Sequence, residues 1–298
     1  MRIDSGADRW FAMAAGALAF VAVAGLGALL FGWSGGLGGG ALGLAAGLAL
    51  FRALRGRAER RRALLRTPFP EPWRRFLLDR CDPYERLPVE LRARFEQDLR
   101  VFLAEKRITG VGIRATEELR LLVGASAMTL SVGWPDYEWD RLTEVLLYPQ
   151  DFARDYGFEM KELSGQAHGW GTVILSAPAL IESFEHPDDG YHVGIHEFAH
   201  LVQVEQARFA EIPPGLDEDY GREWTELVAA EMDRIRRGKS VLDPYAGENP
   251  SEFLAVAVEA FFEVPLAMRK GHRELYALLR DYFRQDPAAA DDARGLVI

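Results

Sequence analysis

Two histidines and a glutamate in the segment His196-Glu197-Phe198-Ala199-His200 have the spacing of a metal-binding helix. Residues four apart lie above one another on one face of an α-helix, so both imidazoles can reach the same ion. Neutral imidazole is a good zinc ligand, and a catalytic zinc has three protein ligands and one position for water. Glu197 is then placed to accept a proton from that water, as in the H-E-x-x-H pattern. The alternative is a surface helix with two solvated histidines.

A third metal ligand is expected downstream, and the best candidate lies at the start of a second predicted helix. Asn249 suits the N-cap and Pro250 the first helical position, and an apolar stripe follows at helical spacing. Glu252 falls on the first turn and can complete the metal site. Alternatively, its carboxylate accepts a hydrogen bond from the Asn249 amide, as in a capping box. Glu259 lies two turns further along the same face and is the second candidate.

Composition and charge argue against several other functions for this chain of 298 residues. The formal net charge is −10, which argues against direct nucleic acid binding, since that requires a basic face. Cys81 is the only cysteine, so an intramolecular disulfide and a cysteine-based zinc site are both excluded. We therefore expect the folded part of the chain to work in a reducing compartment.

The first part of the chain is apolar and long enough to enter a membrane. No charged residue occurs from Trp10 to Phe51, and one transmembrane helix needs about 20 apolar residues. We predict a membrane hairpin within residues 1–55, with helices at about 11–33 and 37–51 that are joined by a glycine-rich turn. A secretory signal peptide and a single long tilted helix are the alternatives.

A basic segment follows the second predicted span. It contains seven arginines and one acidic residue, Arg52, Arg55, Arg57, Arg60, Arg61, Arg62 and Arg66 with Glu59. Positive charges flank membrane helices on the cytoplasmic side. We therefore expect the rest of the chain to lie at the cytoplasmic face of the inner membrane, where the same arginines can contact anionic lipid headgroups.

The remaining residues are predicted to form a linker, basic and then proline-rich, over 56–72 and an α+β domain over 73–298. Residue patterns predict two helices over 88–106 and 116–128 and two strands over 142–148 and 169–176. The second strand precedes the metal helix. It is either an internal strand or an exposed edge, onto which a peptide adds by main-chain hydrogen bonds.

Several further segments resemble the family of Mlc titration factor A. Members of that family are zinc-dependent peptidases whose active site is related to the anthrax lethal factor catalytic domain. The segments that carry the resemblance are 195–200, 249–256, 259–262 and 286–287, together with 73–77, 102–106 and 145–149. The resemblance covers about residues 70–288, so it is more specific than the metal motif alone.

This resemblance implies a mostly helical, zincin-like (gluzincin) metallopeptidase domain with a small β-sheet. It implies that His196, His200 and Glu252 bind Zn2+. Glu259 is then expected to lie behind the metal ligands, because a metal-bound histidine usually donates its other N–H to a carboxylate or carbonyl. The membrane hairpin is a departure from the soluble family pattern.

The resemblance also implies the activity and the partners. Glu197 is expected to be the general base and Tyr245 to donate a hydrogen bond to the oxyanion during hydrolysis of a peptide or protein substrate. The family name implies a transcription factor as a partner. The alternative function is therefore a binding protein that titrates a transcriptional regulator, with weak or vestigial peptidase activity. A zinc-stabilised membrane scaffold would bind metal without turnover.

Overall fold

The structure is a computed structural model that describes residues 6–150, 170–205 and 218–295. The chain divides into two compact units, Met1–Pro68 and Phe69–Ile298. The boundary falls inside the proline-rich segment that was predicted to link the membrane region to the folded domain.

The first unit is a long helical segment, α1 (Gly6–Leu65), which is interrupted at Gly32. Gly32 has φ 65° and ψ −151°, a backbone conformation that residues with a Cβ rarely adopt. Among the residues described, Trp10–Leu30 form the one helical stretch that is long and apolar enough to cross a membrane. Because α1 extends to Leu65, the basic part of the linker predicted for 56–72 is helical.

Helical residues on the two sides of Gly32 contact each other through glycines. A Cβ added at Gly43 would lie 2.7 Å from the carbonyl oxygen of Phe20, and one added at Gly47 would lie 2.5 Å from that of Gly16. Side chains larger than hydrogen would therefore force the backbones apart, as at the small-residue contacts of membrane helices.

The second unit is mostly helical. Its helices are α2 (Glu71–Arg80), α3 (Asp82–Arg86), α4 (Val89–Glu105), α5 (Glu117–Ser131), α6 (Ala177–Glu185), α7 (Val193–Glu205), α8 (Glu218–Arg236), α9 (Pro250–Glu263), α10 (Pro265–Gly271), α11 (Arg273–Phe283) and α12 (Pro287–Ala293). The helices predicted over 88–106 and 116–128 correspond to α4 and α5. The Thr116 hydroxyl caps α5 by accepting a hydrogen bond from the Leu119 N–H at 3.3 Å.

A small parallel sheet lies beside these helices. Its strands are β1 (Arg107–Gly110), β2 (Glu144–Tyr148) and β3 (Thr172–Ser176), in the order β1-β2-β3. β2 and β3 correspond to the two predicted strands, although residue 169, where the second was predicted to begin, lies outside the described residues. β1 was not predicted. Within the part of the chain that the structure describes, β3 is an edge strand.

An aromatic core holds α7 in place. The Phe198 ring packs edge-on against Phe102, at 6.2 Å between centroids, and against Trp139, at 5.1 Å. All three side chains are fully buried. On the same helix, the Ser126 side chain of α5 leaves no room for a Cβ at Gly194. The close packing of α7 on α5 therefore fixes the orientation of the helix that carries the two motif histidines.

Candidate metal centre

The side chains of His196, His200 and Glu252 converge at one point between α7 and α9. The two histidine Nε2 atoms are 3.1 Å apart. Glu252 Oε2 lies 3.2 Å from His196 Nε2 and 3.3 Å from His200 Nε2. Among the described residues, this is the one group of histidine, cysteine or carboxylate side chains whose ligand atoms lie close enough to hold a metal ion together.

The start of α9 aims Glu252 at the histidines. Asn249 is the N-cap, and its Oδ1 accepts hydrogen bonds from the N–H groups of Ser251, at 2.9 Å, and Glu252, at 3.1 Å. Pro250 occupies the first helical position, where a missing N–H costs nothing. The Glu252 carboxylate thus faces the two imidazoles from the first turn. Burial raises its pKa, but the nearby histidines outweigh burial and hold the pKa well below its usual value.

Glu259 lies behind His196, on the far side from the convergence point. Its Oε1 is 2.6 Å from His196 Nδ1, and its Oε2 accepts a hydrogen bond from the backbone N–H of His192 at 2.7 Å. The side chain is only 1% exposed. Burial lowers the pKa of His196, but Glu259, with Glu252, raises it well above its usual value. Glu259 therefore orients His196 so that Nε2 faces the site.

His192 immediately precedes α7, the helix that carries the two motif histidines, and was missed by the sequence reasoning. Its Nδ1 accepts a hydrogen bond from the Ile195 N–H at 3.2 Å, so its side chain caps α7. Burial lowers the pKa of His192 to about 3, which keeps the ring neutral and Nδ1 able to accept. The ring packs edge-on against Phe184. Its position one turn before the motif could have indicated a helix cap, but histidine is not among the residues preferred at that position.

Gln203 and Ser251 support the second histidine and were also missed. His200 Nδ1 lies 3.2 Å from Gln203 Oε1 and 3.2 Å from Ser251 Oγ. The Ser251 hydroxyl donates to Gln203 Oε1 at 2.9 Å, and Gln203 Nε2 donates to the Ser251 carbonyl at 3.3 Å. These bonds connect α7 directly to the first turn of α9, so they fix the position of His200 relative to Glu252.

The two remaining predicted residues lie at the same centre. Glu197 is 2% exposed. Tyr245 belongs to a short 3-10 turn, Pro244–Gly247, and its ring centroid is 6.1 Å from that of His196. Burial, then the charges of Glu252, Glu248 and Glu197, raise the pKa of Tyr245 above its usual value. The phenol therefore stays protonated and is a hydrogen-bond donor.

Comparison with known proteins identifies a family for this chain. A profile of the family described as glucose-regulated metallo-peptidase M90 matches residues 55–284. The chain belongs to this family. The resemblance seen in the short sequence segments is thereby confirmed.

Individual relatives of this M90 chain match most of its length. An uncharacterized protein of Synechocystis sp. is 30% identical over 245 residues, which are 76% of this chain and 89% of the relative. Mlc titration factor A of Edwardsiella ictaluri is 27% identical over 222 residues, 69% of this chain and 82% of the relative. Mlc titration factor A of Salmonella agona is 28% identical over 204 residues, 63% and 76% of the two chains.

Membership of the M90 family indicates a metallopeptidase and hence a bound metal ion. The structure brings the six residues that the sequence singled out to one place, His196, Glu197, His200, Tyr245, Glu252 and Glu259. Of the two carboxylates proposed as third ligand, Glu252 faces both Nε2 atoms, whereas Glu259 faces Nδ1 of His196.

Proposed function

We propose that this chain is a membrane-tethered zinc-dependent peptidase whose metal ligands are His196, His200 and Glu252. The observation that carries the proposal is the triangle formed by their ligand atoms. A tetrahedral zinc with bonds of about 2.0–2.1 Å to nitrogen and oxygen has ligand atoms about 3.3 Å apart. The three separations here are 3.1, 3.2 and 3.3 Å.

The chemistry of the site also fits a zinc ion. Glu252 Oε2 is buried and makes no hydrogen bond of good geometry with any described residue, so a cation would supply its missing partner. Two imidazoles and a carboxylate are a known ligand set for catalytic zinc. When bound, the ion supplies Lewis acidity, which lowers the pKa of water and polarises a peptide carbonyl.

The protein side chains carry out the proton transfers and stabilise the developing charge. Glu197, directly after the first ligand, takes a proton from the attacking water and passes it to the leaving amine. Tyr245 donates its phenolic hydrogen to the oxyanion of the tetrahedral intermediate. Its raised pKa supports this role, because a phenolate would repel the oxyanion.

Two features of the N-terminal unit favour a role as a membrane anchor. We propose that α1 folds back at Gly32 into a transmembrane hairpin, because its two halves meet at glycines and Trp10–Leu30 is long enough to span. The arginines after Phe51 then lie on the cytoplasmic side, together with the catalytic domain. A fluorescent protein that folds only in the cytoplasm, fused after Ile298 in a bacterial host, should fluoresce. A fusion that is expressed at a normal level but does not fluoresce would show that the catalytic domain faces the opposite side of the membrane.

The peptidase proposal is tested with the full chain in detergent. The zinc-loaded protein should hydrolyse members of a panel of peptides and chromogenic amino-acid substrates, and a chelator should abolish that activity. Glu197→Gln should keep one zinc per chain, measured by elemental analysis, and lose hydrolysis because its amide cannot accept the proton. A Glu197→Gln protein with full activity would disprove the mechanism.

A binding role remains as the second function, since several relatives are named Mlc titration factor A. The chain could sequester a transcriptional regulator, with or without cleavage. A binding protein does not need Glu197 beside the metal ligands, so the presence of Glu197 together with all three ligands favours catalysis. Stoichiometric zinc with no turnover on any substrate in the panel would favour the binding or scaffold role instead.

A further inference from the structure

A cavity of about 710 Å³ lies next to the candidate metal centre. His196, Tyr245 and Glu259 are among the residues that line it. Ligand pockets in proteins are typically about 300–1,000 Å³, so this cavity is large enough to receive a substrate side chain with room around it. Because the metal ligand His196 and Tyr245 border it, the cavity adjoins the reacting centre.

The walls of the cavity are apolar. They are formed mainly by small and branched aliphatic side chains from three elements, Val193 of α7, Val256 and Ala260 of α9, and Val241 and Leu242 of the loop before Tyr245. Val264 and Ala267, at the start of α10, line it further along. A surface of this kind binds apolar groups, because it gains free energy when water leaves both surfaces.

The loop that contributes Val241 and Leu242 to the cavity is held in place by a buried hydrogen-bond network. His272 is 2% exposed, and its Nδ1 lies 2.6 Å from Glu231 Oε2. Its Nε2 lies 3.1 Å from Ser240 Oγ and accepts a hydrogen bond from the Val241 N–H at 3.3 Å. The loop that carries Ser240 and Val241 is thus tied to Glu231 of α8 and to His272, which lies between α10 and α11, so this side of the cavity is formed before a substrate binds.

Carboxylates surround the cavity at its exposed rim. Asp189, Asp243 and Glu248 line it and are exposed. Asp189 and Asp243 also accept hydrogen bonds from backbone N–H groups two residues on, which fixes them in their turns. Together with the buried Glu259, these carboxylates make the lining of the cavity acidic as well as apolar. An acidic side chain would therefore be repelled.

We propose that this cavity is the subsite for a large apolar side chain of the substrate, such as phenylalanine, leucine or methionine, next to the bond that is cleaved. This inference rests on the proposed peptidase function and specifies its substrate class. Ala267 is the position at which to test the subsite, since it lines the cavity and is only half-buried, so we expect a larger side chain there to fill cavity space instead of core space. Small and acidic substrate side chains are disfavoured.

The first test compares substrates that differ only at this position. We expect kcat/KM for phenylalanine or leucine to exceed that for alanine by at least about tenfold, as hydrophobic pockets commonly discriminate. Ala267→Phe should remove most of this preference by lowering kcat/KM for the phenylalanine and leucine substrates, and Ala267→Val should have a smaller effect in the same direction. Ala277→Phe, a half-buried alanine of α11 away from the cavity, is the matched control.

The second test separates the subsite from the peptidase proposal by measuring binding without turnover. Phenylalanine hydroxamate and alanine hydroxamate are titrated calorimetrically into the zinc-loaded Glu197→Gln protein, with and without Ala267→Phe. The two ligands share the metal-binding group, so the ratio of their Kd values reports only the side chain. We expect a ratio of at least about ten, falling to within about threefold in the double variant.

The outcomes are distinguishable. If phenylalanine hydroxamate binds more tightly than alanine hydroxamate and Ala267→Phe removes this preference, the subsite is supported. This holds even if no peptide is hydrolysed, and in that case only the peptidase proposal fails. Equal Kd values for the two hydroxamates, or a preference that Ala267→Phe leaves unchanged, would overturn the subsite. A preference for glutamate or lysine substrates over phenylalanine would overturn it as well.

Discussion

Replacement of Glu259 by glutamine tests whether the carboxylate behind His196 controls metal binding. In the structure, Glu259 accepts the His192 N–H through one oxygen and faces His196 Nδ1 with the other. A metal on His196 Nε2 requires a hydrogen on Nδ1, so the metal-bound form presents two donors to this side chain. Glutamine offers one acceptor and one donor, so one of those donors loses its partner.

The size of the effect follows from the burial of Glu259. An unsatisfied buried donor costs about 1–3 kcal/mol, and each 1.4 kcal/mol is about tenfold in an equilibrium constant. Without metal, His196 can place its hydrogen on Nε2 and accept from the glutamine amide, so the penalty falls mainly on the metal-bound form. We therefore expect Glu259→Gln to weaken zinc binding about 10–100-fold, as other replacements behind metal ligands do.

The assay is a competition between the full-length protein in detergent and a fluorescent zinc indicator. Glu263→Gln is the matched control, because Glu263 lies one turn further on the same helix and is 2% exposed. Its Oε2 has no hydrogen-bond partner among the described residues. The control should bind zinc within about twofold of the wild type. Zinc affinity of Glu259→Gln within twofold of the wild type would refute the reasoning.

The remaining predictions concern Glu252, Tyr245 and Glu263. Glu252→Ala should lose zinc by elemental analysis, and stoichiometric zinc in that variant would point to Glu259 as the ligand. Tyr245→Phe should retain zinc while kcat falls about 10²–10³-fold, as when one oxyanion donor is removed; an unchanged kcat would exclude the phenol. Burial raises the pKa of Glu263 from its usual 4.5 to about 9. Below pH 4.5 the carboxyl is protonated in both the folded and the unfolded state, so the stability of the wild type relative to Glu263→Gln is greatest there. As pH rises from 4.5 to 9, the unfolded state ionises first and the wild type becomes progressively less stable than the variant. Thermal melting should show the variant more stable by about 3 kcal/mol at pH 7, with no difference near pH 4.

Local spacing was enough to identify the candidate metal-binding motif. His196, Glu197 and His200 belong to one helix, and the period of a helix fixes which side chains share a face. The same local logic predicted the cap at Asn249 and the first turn that carries Glu252. It also predicted helices α4 and α5, whose apolar residues repeat at helical spacing.

The choice between the two carboxylates depended on tertiary structure. Glu252 and Glu259 lie on the same face of α9, so helical spacing alone permitted either as ligand, and only the family resemblance implied Glu252. The packing of α9 against α7 places Glu252 beside both Nε2 atoms and Glu259 behind His196. That packing depends on contacts between residues far apart in the chain, which no local pattern specifies.

Other features were beyond sequence reasoning for the same reason. Strand β1 has only four residues, and its pairing with β2 comes from residues that are distant in sequence. His192 became a helix cap because burial keeps its ring neutral. The cavity beside Tyr245 exists only where α7, α9, α10 and one loop meet. The sequence by itself therefore determined which residues could do the chemistry, because helical spacing is local, whereas only the tertiary structure decided how they are oriented and what lies beside them.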